Sequence, residues 1–102
     1  MKVKHIDVIK KISVENIKRV DVALEGDWNR TVTTVWDRKK GFEGFSKVKK
    51  QHAIYKPSVE LYFHDYWVGI HCYRRMKGKN VFDTELALKI IRYIDCRLHR
   101  AP

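Results

Sequence analysis

The sequence predicts an α+β fold: an antiparallel sheet of about four strands with one C-terminal amphipathic helix packed on it. Two stretches with period-2 alternation of apolar residues predict the strands, and one stretch with helical periodicity predicts the helix. A chain of 102 residues can enclose a single core, so we expect one domain over residues 1–102.

The first predicted hairpin spans residues 18–25 and 31–37. In its first strand, Val20, Val22 and Leu24 alternate with polar or small residues. The intervening segment GDWNR supplies turn chemistry, and TVTTVW is rich in β-branched residues. Residues 1–17 carry both helical and strand spacings, so helix and strand stay open there; Ser13 is a candidate cap for a short turn in VENIK.

The second predicted hairpin joins residues 59–63 to the apolar run of residues 67–73. Its first strand places Val59, Leu61 and Phe63 on one face, with Glu60 and Tyr62 on the other. We expect Tyr62, Phe63 and Trp67 individually to pack in the core. Four basic residues then follow within the six positions RRMKGK.

The segments on either side of this hairpin differ in character. Residues 38–57 contain glycine, proline and seven basic residues, which predicts a long loop, with one helical turn near SKVKKQH. A helix is predicted from Asp83 or Thr84, either of which can cap it, with Glu85 in the first turn. Its apolar stripe consists of Leu86, Ala87, Ile90, Ile91, Ile94 and Leu98.

The charge of the chain is concentrated in its middle. The net charge is +10, and residues 38–82 carry eleven basic and three acidic residues. Such a concentration favours an anionic partner. No apolar run approaches the roughly 20 residues needed to span a bilayer, and the N-terminus lacks a signal peptide's apolar core. We therefore expect a cytoplasmic protein with no membrane partner, in which Cys72 and Cys96 are buried thiols.

Basic residues interleaved with aromatic residues are the strongest functional signal. Phosphates attract Lys and Arg, and unpaired bases stack on flat side chains. The pattern predicts a nucleic-acid-binding protein, with DNA slightly favoured over RNA and with phosphate contacts from the 38–56 loop and the 74–79 turn. The predicted contact residues are Arg38, Lys39, Lys40, Lys47, Lys49, Lys50, Trp67, Arg74, Arg75, Lys77 and Lys79. The competing interpretation is a solvated loop whose aromatic side chains belong to the core.

Part of the last third of the chain is similar to a known family. The successive segments WVGI (67–70), KGK (77–79) and FDTE (82–85), followed by Ala87, resemble the AP2-type DNA-binding domain and the three-strand-plus-helix arm-binding domains of phage integrases. The family's Leu-Gly strand before FDT is absent, and its paired alanines are Ala87 and Leu88. The resemblance implies a sheet laid in the DNA major groove, with contacts from Trp67, Arg74, Arg75 and Lys79.

The sequence contains residues of two kinds of metal site, and both sets have simpler interpretations. The residues His64, His71, Cys72, Cys96 and His99 are possible zinc ligands, but only Cys96 and His99 are closely spaced, so we expect no metal and no cofactor. Asp37 followed by Lys39, with Asp21, Glu25 or Asp27 on the paired strand, loosely resembles a metal-dependent nuclease. No catalytic motif accompanies it, so we expect no enzyme and no catalytic residues.

A non-enzymatic alternative needs no nucleic acid. A small regulator or inhibitor, such as viruses encode, would use the same positive charge to dock on an acidic protein surface. An exposed strand would also permit a homodimer by strand pairing.

Overall fold

The computed structural model describes residues 11, 13–25, 30–46, 48, 52–53 and 55–98. The predicted α+β class is confirmed, with one helix at the C-terminal end of the described chain. The eight strands are β1 (Arg19–Glu25), β2 (Arg30–Asp37), β3 (Gly41–Phe42), β4 (His52–Ala53), β5 (Ser58–Tyr62), β6 (Trp67–His71), β7 (Tyr73–Met76) and β8 (Lys79–Phe82). The helix, α1, spans Thr84–Leu98.

The strands form two antiparallel sheets. The main sheet has the order β3-β2-β1-β5-β6, and the small sheet has the order β4-β8-β7. Both predicted hairpins are present, as β1–β2 and β5–β6. Strands β1 and β5 pair in the middle of the main sheet, where Asp21 is opposite Glu60 and Arg19 is opposite Tyr62.

The structure has more strands than predicted for two reasons. The predicted 38–57 loop contributes two-residue strands to both sheets. The apolar run 67–73 is not one strand, because the chain leaves the main sheet at Cys72 and continues as β7 in the small sheet. A two-residue turn joins β7 to β8, and Lys77 (φ 51°) and Gly78 (φ 76°) both have the positive φ that the tight type I′ hairpin turn requires.

The core lies between one face of the main sheet and α1. The Asp83 carboxylate caps the helix by accepting the backbone N–H of Leu86 at 3.2 Å. The predicted apolar stripe is confirmed at its centre, where Ala87, Ile90, Ile91 and Ile94 are fully buried; Leu86 and Leu98 pack at its margin. From the sheet, the buried core residues include Val20, Val22, Leu24, Val35, Trp36, Val59, Leu61 and Ile70.

The chain enters the main sheet through a single 3₁₀ turn at Val14–Asn16. Ser13 precedes this turn, but its side chain makes no cap hydrogen bond, so the predicted capping role is wrong. The choice between helix and strand for residues 1–10 and 12 lies outside the described residues. Within the described part of the chain, no helix has the length and apolar character needed to cross a membrane.

Candidate functional site

The face of the main sheet that points away from α1 is polar, and we call it the polar face. Paired residues of neighbouring strands point to the same side, so the register identifies its members. Asp21, Glu60 and Gly69 form one row across β1, β5 and β6, and Arg19, Tyr62 and Trp67 form the next row. Both rows cross the three strands at the centre and β6 edge of the sheet.

Two acids of the polar face are buried, which simple alternation did not predict. Asp21 and Glu60 are each 3% exposed. Asp21 accepts hydrogen bonds from Thr34 Oγ1 at 2.8 Å and from Arg19 Nε at 3.2 Å. Burying a carboxylate is costly unless donors replace its water, and these donors supply that replacement.

Glu60 is held in the same way by a second pair of donors. The Tyr62 hydroxyl donates to Glu60 Oε1 at 2.7 Å, and the Arg30 guanidinium donates to Glu60 Oε2. The hydrogen bond to Glu60 raises the pKa of Arg30, and burial raises the pKa of Tyr62 above its ordinary value. We call these two buried acids, Asp21 and Glu60, the acidic floor of the polar face; they form the row next to the aromatic side chains Tyr62 and Trp67.

Trp67 is exposed, so the expectation that it packs in the core is wrong. Its side chain is 55% exposed and stacks on Tyr62 with ring centroids 6.1 Å apart and an interplanar angle of 26°. The Arg19 guanidinium lies 4.0 Å from the centroid of the Tyr62 ring, a cation–π distance. Phe63 is buried, as predicted, and Tyr62 is half-buried.

The turn after β2 lies at the same end of the main sheet as these aromatic side chains. Asp37 is opposite Arg19, Arg19 is opposite Tyr62, and Tyr62 is opposite Trp67. The turn residues that follow Asp37 are therefore at this end, and all three are exposed cations. We call the combined surface the basic–aromatic end; it consists of Lys18, Arg19, Arg38, Lys39, Lys40, Tyr62, Tyr66 and Trp67.

A cleft of about 570 Å³ opens at the basic–aromatic end. Its lining includes Lys18, Arg38 and His64, together with Tyr66 and Asp65. The Arg38 guanidinium is held in place, since it donates to the backbone carbonyls of Ile17 and Glu15. Lys18 and Arg38 give this opening positive charge that would attract an oxygen anion, and Asp65 offsets part of that charge.

The 74–79 turn carries less free charge than the sequence suggested. Arg74 forms ion pairs with Asp83 at 3.2 Å and with Glu85 at 3.0 Å, and its hydrogen bond to Asp83 raises its pKa. Arg75 donates to Asn80 Oδ1 at 3.2 Å. Lys77 and Lys79 are exposed at the hairpin tip.

The two predicted basic segments start from opposite ends of the main sheet. The 38–40 turn lies at the end of the main sheet where Tyr62 pairs with Trp67, whereas β7 starts from the other end, just after His71 pairs with Ser58. Lys47, Lys49 and Lys50 lie outside the described residues. Arg38, Lys39, Lys40 and Trp67 therefore share one end, and Arg74, Arg75, Lys77 and Lys79 lie on a hairpin that begins at the opposite end.

The candidate metal ligands do not converge in the described part of the chain, where no group of three or more His, Cys, Asp or Glu side chains could hold a metal ion. Cys72 is buried, but Cys96 is exposed, so the prediction of a buried thiol is wrong for Cys96. His99 and Asp27 lie outside the described residues. The Asp37 carboxylate accepts the backbone N–H of Lys40 at 2.7 Å and so stabilises the turn.

Comparison with known proteins does not identify this site, so its chemistry is interpreted from its geometry. No family model matches the chain, and neither the curated proteins nor the solved structures contain a match. The sequence interpretation missed Lys18 and Arg19 because they precede Trp67 by almost fifty positions, and only the β1-β5-β6 register brings them close. The alternation of β1 and β5 was the signal that could have placed Arg19 and Tyr62 on one face.

Proposed function

We propose that the protein binds an unpaired nucleic-acid strand at the basic–aromatic end of the main sheet. The observation that carries the proposal is the exposed Trp67 ring, which lies on a rigid sheet next to cations on neighbouring elements. An open sheet with exposed aromatic rings is a stacking platform for bases, and every base offers a flat face to it. A Watson–Crick duplex keeps its base faces covered, so the platform favours a single strand.

Phosphate contacts come from the lysines around the platform. Lys18, Lys39 and Lys40 are exposed, and Arg19 is half-exposed beside the Tyr62 ring. Each phosphate that they neutralise releases condensed counterions, which makes binding dependent on salt. The 74–79 turn contributes less to this proposal, since Arg74 is neutralised by two acids, and Lys77 and Lys79 lie on a hairpin that begins at the opposite end of the main sheet.

Fluorescence anisotropy with labelled 12-nucleotide strands of DNA and RNA tests this function, with the corresponding duplex as a third ligand. We expect the single strands to bind more tightly than the duplex, and Trp67→Ala to weaken single-strand binding by roughly 5- to 150-fold through the loss of one stacked base. Trp67→Phe should retain part of the affinity.

The matched control is Met76→Ala, which removes another half-exposed apolar side chain, from β7. It should leave binding unchanged. Equal affinity of wild type and Trp67→Ala would refute the stacking platform. Tighter binding of duplex, lost in Arg75→Ala and Lys79→Ala, would instead support the major-groove contacts that the resemblance to AP2-type domains implies.

A second function is favoured by the edge of the main sheet. Strand β6 is the last strand on its side, and no strand of the described chain pairs with its outer edge. Such an edge can accept a strand from an acidic protein partner or from a second copy. A dimer in sedimentation velocity of the pure protein would favour pairing with a second copy. Recovery of a protein partner from nuclease-treated lysate, together with no oligonucleotide binding, would favour the protein partner. Both free thiols fit the cytoplasmic location that we propose for either function.

A further inference from the structure

A second cleft, of about 660 Å³, lies farther along the polar face. Its lining includes Tyr55, Lys56, Glu60, Trp67 and His71. This volume is within the range of small-ligand sites, which runs from about 300 to 1,000 Å³. Trp67 belongs both to this cleft and to the basic–aromatic end, so a strand bound there can place one base in the cleft.

The aromatic wall of the cleft owes its position to a glycine. A Cβ built on Gly69 would lie 3.1 Å from Cζ3 of Trp67, which is tighter than an ordinary van der Waals contact, so a side chain at this position would crowd the indole. Tyr55, 57% exposed, supplies a second aromatic side chain to the lining. Flat side chains on the lining suit a planar ring, and they select for no particular base.

Because the flat side chains select no base, selectivity among bases must come from Glu60 of the acidic floor, whose carboxylate can only accept hydrogen bonds. Its carboxylate has about four lone-pair positions, and the Tyr62 hydroxyl and the Arg30 guanidinium use one on each oxygen. Two lone-pair positions remain on this carboxylate, which lines the cleft although Glu60 is only 3% exposed. A ligand that places its own acceptor against this carboxylate would be repelled.

We infer that this cleft binds guanine, with the adjacent N1–H and N2–H groups of the base donating to the Glu60 carboxylate and the ring lying against Trp67. Guanine alone among the common bases offers two neighbouring donors on its Watson–Crick edge. Adenine, cytosine and uracil each place an acceptor next to their donor. Lys56, exposed at the opening, is positioned to meet a phosphate of the same nucleotide.

The inference rests on the proposed function for its biological setting, but mononucleotides test it separately. Calorimetric titration of the wild type should show GMP binding at least roughly tenfold more tightly than AMP or UMP, because one bidentate pair has that discriminating power. IMP is the matched ligand, since it keeps N1–H and lacks only the N2 amino group. Its affinity should fall between those of GMP and AMP.

Glu60→Gln should abolish the preference for GMP over IMP, because the amide replaces one acceptor with a donor. The matched control is Asp21→Asn, which alters the neighbouring buried acid in the same row of the sheet and does not line the cleft. It should keep the preference. If Glu60→Gln does not fold, the comparison of GMP with IMP on the wild type still tests the contact to the N2 amino group. Gly69→Val, whose side chain would crowd the indole, should then weaken GMP binding, and unchanged GMP binding by this variant would count against the site.

The outcomes separate the two proposals. Equal affinities for GMP, IMP and AMP, or a guanine preference that survives Glu60→Gln, would overturn the guanine site. If the guanine site is overturned but the wild type still binds oligonucleotides, and Trp67→Ala loses that binding, the proposed function stands without the guanine site. If GMP binds selectively and no oligonucleotide binds, the cleft is a nucleotide site and the strand-binding function fails.

Discussion

Removal of two lysines from the basic–aromatic end should reduce the salt dependence of nucleic-acid binding by a calculable amount. The double variant Lys39→Ala/Lys40→Ala removes two exposed charges from the turn after β2. In single strands, each neutralised phosphate contributes about 0.7 to the slope of log affinity against log salt. If Lys18, Arg19, Lys39 and Lys40 each contact one phosphate, the wild-type slope is about −2.8, and the double variant should have a slope of about −1.4.

This difference is large enough to measure over an ordinary range of salt. Between 50 and 200 mM NaCl, a slope difference of about 1.4 changes the affinity ratio of wild type to variant by roughly sevenfold. Anisotropy titrations of a labelled 12-nucleotide strand at four salt concentrations give both slopes. The wild type should lose more affinity than the variant as salt rises.

The matched control removes the same amount of charge elsewhere. Lys77→Ala/Lys79→Ala also lowers the net charge of +10 by two, but from the β7–β8 hairpin tip. If the basic–aromatic end contacts the strand, this variant should stay close to the wild-type slope. Identical slopes for the two double variants would show that general charge attraction, and not this surface, determines binding, and would refute the reasoning.

Three further predictions concern thiols, pH and packing. Cys96 is exposed and should react with Ellman's reagent in the native protein, whereas Cys72 should react only on unfolding, because burial raises the pKa of its thiol to about 12; two equally fast thiols would contradict the fold. Burial, and then the hydrogen bond to Glu60, raises the pKa of Tyr62 above 10.0, so its contribution to stability is complete below pH 10 and is lost as the pH rises through the higher folded-state pKa. Thermal melts of Tyr62→Phe should therefore lose less stability above pH 10 than those of the wild type, and parallel losses would count against this. Ile90→Ala should lower the free energy of unfolding by about 2–5 kcal/mol in urea titrations, because Ile90 is fully buried under the sheet; a loss below 1 kcal/mol would mean that α1 does not cover the core.

The elements with strong local patterns could be predicted from the sequence. Val20, Val22 and Leu24 alternate on β1 because one face of that strand meets the helix, so the pattern and the burial have the same cause. The start of α1 was predictable because the Asp83 cap acts over three residues. In both cases the interaction that decides the structure is local.

The candidate site was less predictable because its contacts are long-range. Glu60 has the sequence pattern of an exposed strand residue, and its burial depends on Arg30, thirty positions earlier. Similarly, Arg74 has the sequence pattern of a free cation, but the fold brings Asp83 and Glu85 beside it. Charge counted along the chain therefore overstated the 74–79 turn and overlooked Lys18 and Arg19.

The claim that Trp67 stacks on a base of the bound strand is tested most directly by NMR. The ¹⁵N-labelled protein is titrated with an unlabelled 12-nucleotide strand, and the indole N–H signals are followed. Trp36 is the internal reference, because its Nε1–H is buried and donates to Asp95 Oδ1 at 3.1 Å. Because the chain has three tryptophans, Trp67→Phe and Trp28→Phe assign those two signals by their disappearance, and the remaining indole signal is that of Trp36. We expect the Trp67 signal to shift progressively until the strand saturates, while the Trp36 signal stays in place. Saturable binding that leaves the Trp67 signal unmoved would contradict the account.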